Sequence, residues 1–193
     1  MIVPARAFLS GTVVALLASC AGPPLTLYTL NVPSAAAGGT PLGTTPLVIE
    51  IPRVTVPDEL DSQDIVYRNG DVLHRSDQGR WASRLSLGIT ARLAERLAAR
   101  RPDALVTDRA QTESPTYRLL VNIDRLDITA AGTATLAADW IIVPHDVKKP
   151  IRRDRLRVSE TGPVAKDQDV VTLVGRLVDR LAEAIDVRRL DKR

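Results

Sequence analysis

The stretch Tyr117-Arg118-Leu119-Leu120-Val121-Asn122-Ile123-Asp124 constrains the fold of this chain more than any other feature. Tyr117, Leu119, Val121 and Ile123 fall on one face, and Arg118, Asn122 and Asp124 on the other. A repeat of two is the signature of a strand with one dry and one wet side. The pattern continues to Ile128, and two more strands are expected at Thr133–Val143, ended by Pro144, and at Ile151–Glu160. Ala131-Gly132 turns the chain between the first two.

Two segments have the spacing to cover such a sheet. Between Trp81 and Arg101, the residues Trp81, Leu85, Ile89, Leu93 and Leu97 recur every four positions, and Ala94 and Ala98 widen the stripe. That spacing predicts a helix, which Pro102 stops. Gly88 in its middle costs roughly 1 kcal/mol against Ala and is expected where the helix closely approaches the sheet. A second helix is expected over 169–187, with Val170, Leu173, Val174, Leu177, Leu181 and Ile185 on its apolar side and Asp167 or Asp169 as its cap.

Upstream, Leu47–Ile51 alternates as a strand, Val54-Thr55-Val56 continues it after Pro52, and Leu105-Val106 forms a short strand. Ile65–Arg68 and Asp71–His74 flank Asn69-Gly70, which predicts a β-hairpin whose type I′ turn places both residues at positive φ. Tyr28-Thr29-Leu30 is a short extended candidate. The order strands, helix, strands, helix predicts a single mixed α+β domain, a central mixed sheet with two packed amphipathic helices.

The amino terminus makes a separate statement. A short basic start from Met1 to Arg6 precedes the apolar run Ala7–Leu17, and Leu17-Ala18-Ser19 leads into Cys20, the only cysteine of 193 residues. This is the layout of a secretory signal with a small-residue cleavage site. With Cys at the first position after the cut, it resembles a bacterial lipobox, in which Leu17, Ala18 and Ser19 are the recognition residues and Cys20 the acylated one. The run is too short for the ~20 apolar residues of a membrane-crossing helix. An ordinary secretory signal would leave an unpaired thiol in an oxidising compartment. Two or three acyl chains hold firmly where one would not, since each buried CH2 contributes roughly 0.8 kcal/mol. Ala21-Gly22 supplies no Asp after the cysteine, which by resemblance to enteric sorting favours the outer membrane.

The expected organisation is therefore a signal peptide over 1–19, a lipidated tether over 20–27 and one domain over 28–193. Within it, 33–46 is a Pro-, Gly-, Ala- and Thr-rich loop. If Tyr28 belongs to the sheet the tether is short; if not, the chain up to Pro46 is a long stalk.

Composition narrows the chemistry. A net charge of +3, lowered by one when Arg6 departs, and an aromatic content of 3% argue against nucleic-acid binding. Cys20, His74 and His145 are the whole supply of cysteine and histidine, too few for a Cys/His metal cluster. Neither a phosphate-cradling glycine loop nor a G-x-S-x-G elbow is present, and no cofactor is expected. Asp58-Glu59-Leu60-Asp61 with Asp64 gathers carboxylates without the glycine of a calcium loop and reads as a solvated acidic loop. Trp81 and Trp140 read as packing residues.

One local basic concentration stands out, Lys148-Lys149 with Arg152-Arg153-Asp154-Arg155-Leu156-Arg157. On a strand, Arg153, Arg155 and Arg157 point the same way, either as a charged defence of a sheet edge or as contacts to an acidic partner or anionic headgroups.

The ordered set Tyr28-x-Leu30, Val54-x-Val56-Pro57-x-x-Leu60, Ile65-Val66-x-Arg68, Arg80-Trp81-Ala82-x-x-Leu85 and Tyr117-x-Leu119-x-Val121-x-Ile123 resembles the PqiC-type ABC-transport auxiliary lipoproteins. Ser83-Arg84 and Leu126 depart from residues frequent in that family. The resemblance implies an anticodon-binding-like α+β arrangement without catalysis. It also implies lipid attachment at Cys20, and as partners an MCE-domain protein with an ABC permease and ATPase that move lipids or hydrophobic solutes. The place implied is the periplasmic face of the outer membrane, and homo-oligomerisation stays open. The alternative is an assembly lipoprotein of an outer-membrane export machine.

Overall fold

A computed structural model describes residues 24–30, 42, 46–188 and 190. The chain forms β1 (Thr26–Tyr28), β2 (Leu47–Glu50), β3 (Asp64–Asn69), β4 (Val72–Trp81), α1 (Leu85–Arg100), β5 (Ala104–Thr107), β6 (Tyr117–Ile128), β7 (Thr133–Pro144), β8 (Arg152–Thr161) and α2 (Asp167–Ala184). The mixed α+β class with two helices is as expected. The strands divide into two mixed sheets, ordered β1-β4-β3 and β5-β2-β6-β7-β8.

The alternation read in the sequence is realised in the larger sheet. Leu119, Val121 and Ile123 of β6 and Ala134, Leu136, Ala138, Trp140 and Ile142 of β7 are buried on one face. Both helices lay their stripes on that side, with Leu85, Ile89, Leu93 and Leu97 from α1 and Leu173, Leu177, Val178 and Leu181 from α2. Val54–Val56 runs beside β6, where the Thr55 N–H donates to the Val121 carbonyl (3.1 Å) and the Ile123 N–H to that of Thr55 (2.8 Å). The smaller sheet is stitched to β6 by the Ala130 N–H, which donates to the Arg68 carbonyl at 2.7 Å.

Three local readings change. Trp81 is buried, but as the last residue of β4 rather than the first of α1. Its N–H donates to the Gln63 carbonyl at 2.7 Å, a partner distant in sequence that the four-residue spacing cannot reveal. The β3–β4 turn is shifted by one position. Asn69 pairs with Val72 inside the ladder, and among the described residues only Gly70 and Gly132 have positive φ. With φ of 59° at Gly70, the first of the two turn residues Gly70-Asp71, the turn follows the type II′ pattern. At the start of α2 the cap position is Lys166; the Asp169 carboxylate reaches back to accept its N–H at 3.0 Å, while Asp167 accepts from the Ser76 hydroxyl at 2.8 Å.

Gly88 faces Leu30, not the large sheet: a Cβ there would touch the Leu30 side chain at ordinary contact distance. Leu30 is buried on this surface, and Arg92 donates to its carbonyl.

Candidate functional site

Arginine is used in two ways in this molecule. Where elements meet, it is paired. Arg92 and Arg96 of α1 both donate to Asp179 of α2 at 2.8 Å. Burial pushes the Asp179 carboxyl upward, but donation from Arg92 and Arg96 outweighs it and holds the group below its ordinary value. Asp127, at the junction of the sheets, accepts from Arg68 (2.8 Å) and Arg125 (3.0 Å). The balance there is the same, burial raising and the two guanidiniums lowering the carboxyl to a net depression.

Two carboxylates of the acidic loop, Asp61 and Asp64, enter this structural pairing, while Asp58 and Glu59 stand exposed as a solvated loop would have them. Asp61 accepts from Arg53 at 2.6 Å and from the Ser86 N–H at 3.3 Å in the first turn of α1. Burial acts to raise its carboxyl, while Ser86, Arg53 and Arg84 bring it below the usual value. Asp64 pairs with Arg75 and Arg80, each at 3.2 Å. Among the described residues, no three His, Cys, Asp or Glu side chains converge as a metal site would require. His74 stacks on Tyr67 with ring centroids 5.4 Å apart.

The outer face of the five-stranded sheet is different. Neither helix covers it, and β8 is its last strand. Arg153, Arg155 and Arg157 stand exposed on that face, as the alternation predicts. Among the described residues no carboxylate forms an ion pair with any of the three. In register across the sheet, Arg153 lies opposite Ile141 and then Leu120, Arg155 opposite Asp139 and Asn122, and Arg157 opposite Ala137 and Arg125. The only carboxylate in these rows, Asp139, accepts from Asn122 at 3.2 Å. Leu120, Val143, Pro115 and His145 line a shallow depression of about 360 Å³ below the row, with Arg118 at its rim. The sequence shows the three arginines but not this depression; Leu120 interrupting the polar side of β6 is its only trace.

The two ends of the domain can be placed relative to each other. Thr26 pairs with Gly79, which lies so close to Asp167, the first residue of α2, that no Cβ fits between them. At the other end, Tyr117 donates its hydroxyl hydrogen to the Leu190 carbonyl (2.7 Å), past the end of α2, and Lys149 of the β7–β8 turn donates to the Tyr117 oxygen (3.0 Å). The chain thus enters the domain at the amino-terminal end of α2, and the β7–β8 turn lies at the opposite end. A helix of 18 residues separates the two by about 27 Å. The turn carries Val147 at 94% exposure and Ile151 at 46%. Cys20 and its neighbours Leu17, Ala18 and Ser19 lie outside the described residues, as does most of 33–46.

What this arrangement offers is a surface: an uncovered sheet face, a free basic edge and an exposed turn far from the point of chain entry. It defines a compact α+β module that presents an open, charged sheet edge. A family model described as ABC-type transport auxiliary lipoprotein component matches residues 28–186, and the chain belongs to that family. Among solved structures, that of an uncharacterized protein is similar with a TM-score of 0.66 and 15% identity, covering 83% of this chain and 95% of the other. A DUF330-family protein from Xanthomonas campestris is similar with a TM-score of 0.57 and 14% identity, covering 81% and 90%. At these identities the likeness is one of fold. No curated protein matches the chain.

Proposed function

We propose that this protein is a non-enzymatic, lipid-anchored subunit of an MCE/ABC-type system that moves lipids or hydrophobic solutes between the membranes of the envelope. In this reading Cys20 carries the acyl chains, in the periplasmic leaflet of the outer membrane, after removal of residues 1–19. The observation that carries the reading is the family match over 28–186 directly downstream of the lipobox Leu17-Ala18-Ser19-Cys20.

The geometry supports it physically. Thr26–Tyr28 is built into a sheet, so only the residues from Cys20 to Leu25 separate an acyl group from the folded body. At ~3.3 Å per residue they reach about 20 Å. The tether is the short alternative, and the domain sits close to its membrane. The end away from that attachment, with the β7–β8 turn and the start of the β8 arginine row, is then free to meet the permease-linked MCE partner.

Two measurements test this. Metabolic labelling with a fatty-acid analogue labels the wild type and not Cys20→Ser, which is released from the membrane fraction; unchanged labelling of the variant refutes the anchor. A photocrosslinker placed at position 153, 155 or 157 in cells captures envelope transport components. Capture of cytosolic proteins alone refutes the partnership.

A further inference from the structure

The free side of β8 has a defined chemistry. The Gly162 N–H donates to the Gly132 carbonyl at 2.9 Å, and these two residues continue the register in which Thr133 faces Thr161. Hydrogen-bonded pairs alternate along an antiparallel ladder. Even-numbered residues of β8 therefore turn their backbone groups to β7. Arg153, Arg155, Arg157 and Ser159 turn theirs to the open side. The Arg155 N–H confirms the parity, because it meets the Asp154 carboxylate at 2.8 Å instead of a β7 carbonyl.

These same odd-numbered residues carry the exposed guanidiniums that lack a carboxylate. A strand added here would pair residue by residue with Arg153, Arg155 and Arg157, and its side chains opposite them would lie on the same outer face. Charge complementarity requires those side chains to be acidic at every second position. A second copy of β8 is excluded as the occupant, since antiparallel self-pairing sets arginine against arginine.

We propose that the β8 edge binds an extended acidic segment of another protein by strand addition, with carboxylates at alternate positions. This deepens the transport reading by naming the chemistry of the docking element. It also distinguishes β8 from a purely defensive charged edge, in which the arginines only repel other strands.

The test uses the full-length acylated protein in non-ionic detergent and a fluorescent synthetic peptide of about ten residues alternating glutamate and threonine. The expected result is saturable binding that weakens with added salt, together with slowed hydrogen exchange at the amides of Arg153, Arg157 and Ser159. Joint replacement Arg153→Glu, Arg155→Glu and Arg157→Glu weakens binding about tenfold or more. Joint replacement by Lys retains most of it and controls for folding. A peptide of the same sequence N-methylated at every backbone amide keeps its charge but cannot supply the ladder donors in either strand direction. Equal binding of that peptide overturns strand addition in favour of charge attraction alone. Adsorption to phosphatidylglycerol vesicles in excess of that to phosphatidylcholine vesicles, lost in the triple Glu variant and with no amide protection by the peptide, overturns it in favour of a headgroup surface, and absence of peptide binding overturns it in favour of a defensive edge. None of these results touches the anchor or the transport partners, which the labelling and crosslinking experiments address.

Discussion

The helix–helix contact and the β8 edge are built with the same side chain and behave in opposite ways. Between α1 and α2, Asp179 holds two guanidiniums, and Arg92 has only 13% of its side chain exposed. On β8 three guanidiniums stand in a row with no carboxylate paired to them among the described residues. The first arrangement fixes two elements in one position. The second leaves its electrostatic attraction unused among the described residues. A charge that is costly to orphan belongs to the fold, and a charge that is free to leave belongs to a surface.

The contrast is sharpest in the response to deletion. Asp179→Ala leaves Arg92 and Arg96 without their acceptor and is expected to destabilise the domain by about 2–3 kcal/mol in chemical denaturation, toward the lower range for broken buried pairs because the site is partly wet. Asp127→Ala, which unties Arg68 and Arg125 at the sheet junction, is expected to cost about 2 kcal/mol.

Acid makes the same cut without mutation. The carboxyls of Asp179, Asp127 and Asp61 all lie below the ordinary value in the folded state. Their contribution is complete above the unfolded value and is lost as pH falls through the folded one. Stability therefore declines as pH drops below about 4. The Asp179→Asn variant, measured by the same denaturant titrations, shows a shallower decline over that window. An equal decline would show that Asp179 does not drive the effect.

The β8 region responds in the other direction. Ala137 lies between Arg125 and Arg157 on the outer face, and Ala137→Glu gives Arg157 the carboxylate that it lacks. This change is expected to add about 0.5 kcal/mol, within the range of cross-strand charge pairs. The smallest effect comes from joint replacement of Arg153, Arg155 and Arg157 by Ser, which is expected to move stability by no more than about 0.5 kcal/mol. A loss comparable to that of Asp179→Ala would place these arginines in the fold and erase the contrast.

The sequence reveals the elements whose periodicity serves burial. The β6, β7 and β8 alternation and both helical stripes lie close to their observed spans, because each buries one face against the same core. It hides what depends on partners distant along the chain. The spacing from Trp81 to Leu85 suits a helix, yet Tyr28 and Gln63 hold Trp81 in a strand. Ser86 and Thr90 sit in the buried stripe of α1 as apparent blemishes. In the folded chain, Arg53 donates to the Ser86 hydroxyl at 2.7 Å and the Val54 N–H to that of Thr90 at 3.0 Å, so both anchor the chain leading out of β2. The candidate surface is half legible. Alternation places the three arginines together, but only the register with β7 assigns their backbone groups to the open edge.

The burial of Leu30 against Gly88 changes how the module would carry a mechanical load. A strand as short as β1, standing alone at a sheet margin, would peel away under tension one bond at a time. Here the residue just beyond it is wedged beneath α1 and tied by its carbonyl to Arg92, which grips Asp179. A tug arriving from the amino-terminal side is passed through that wedge into both helices, so the body moves as one rigid piece with whatever holds its leading segment.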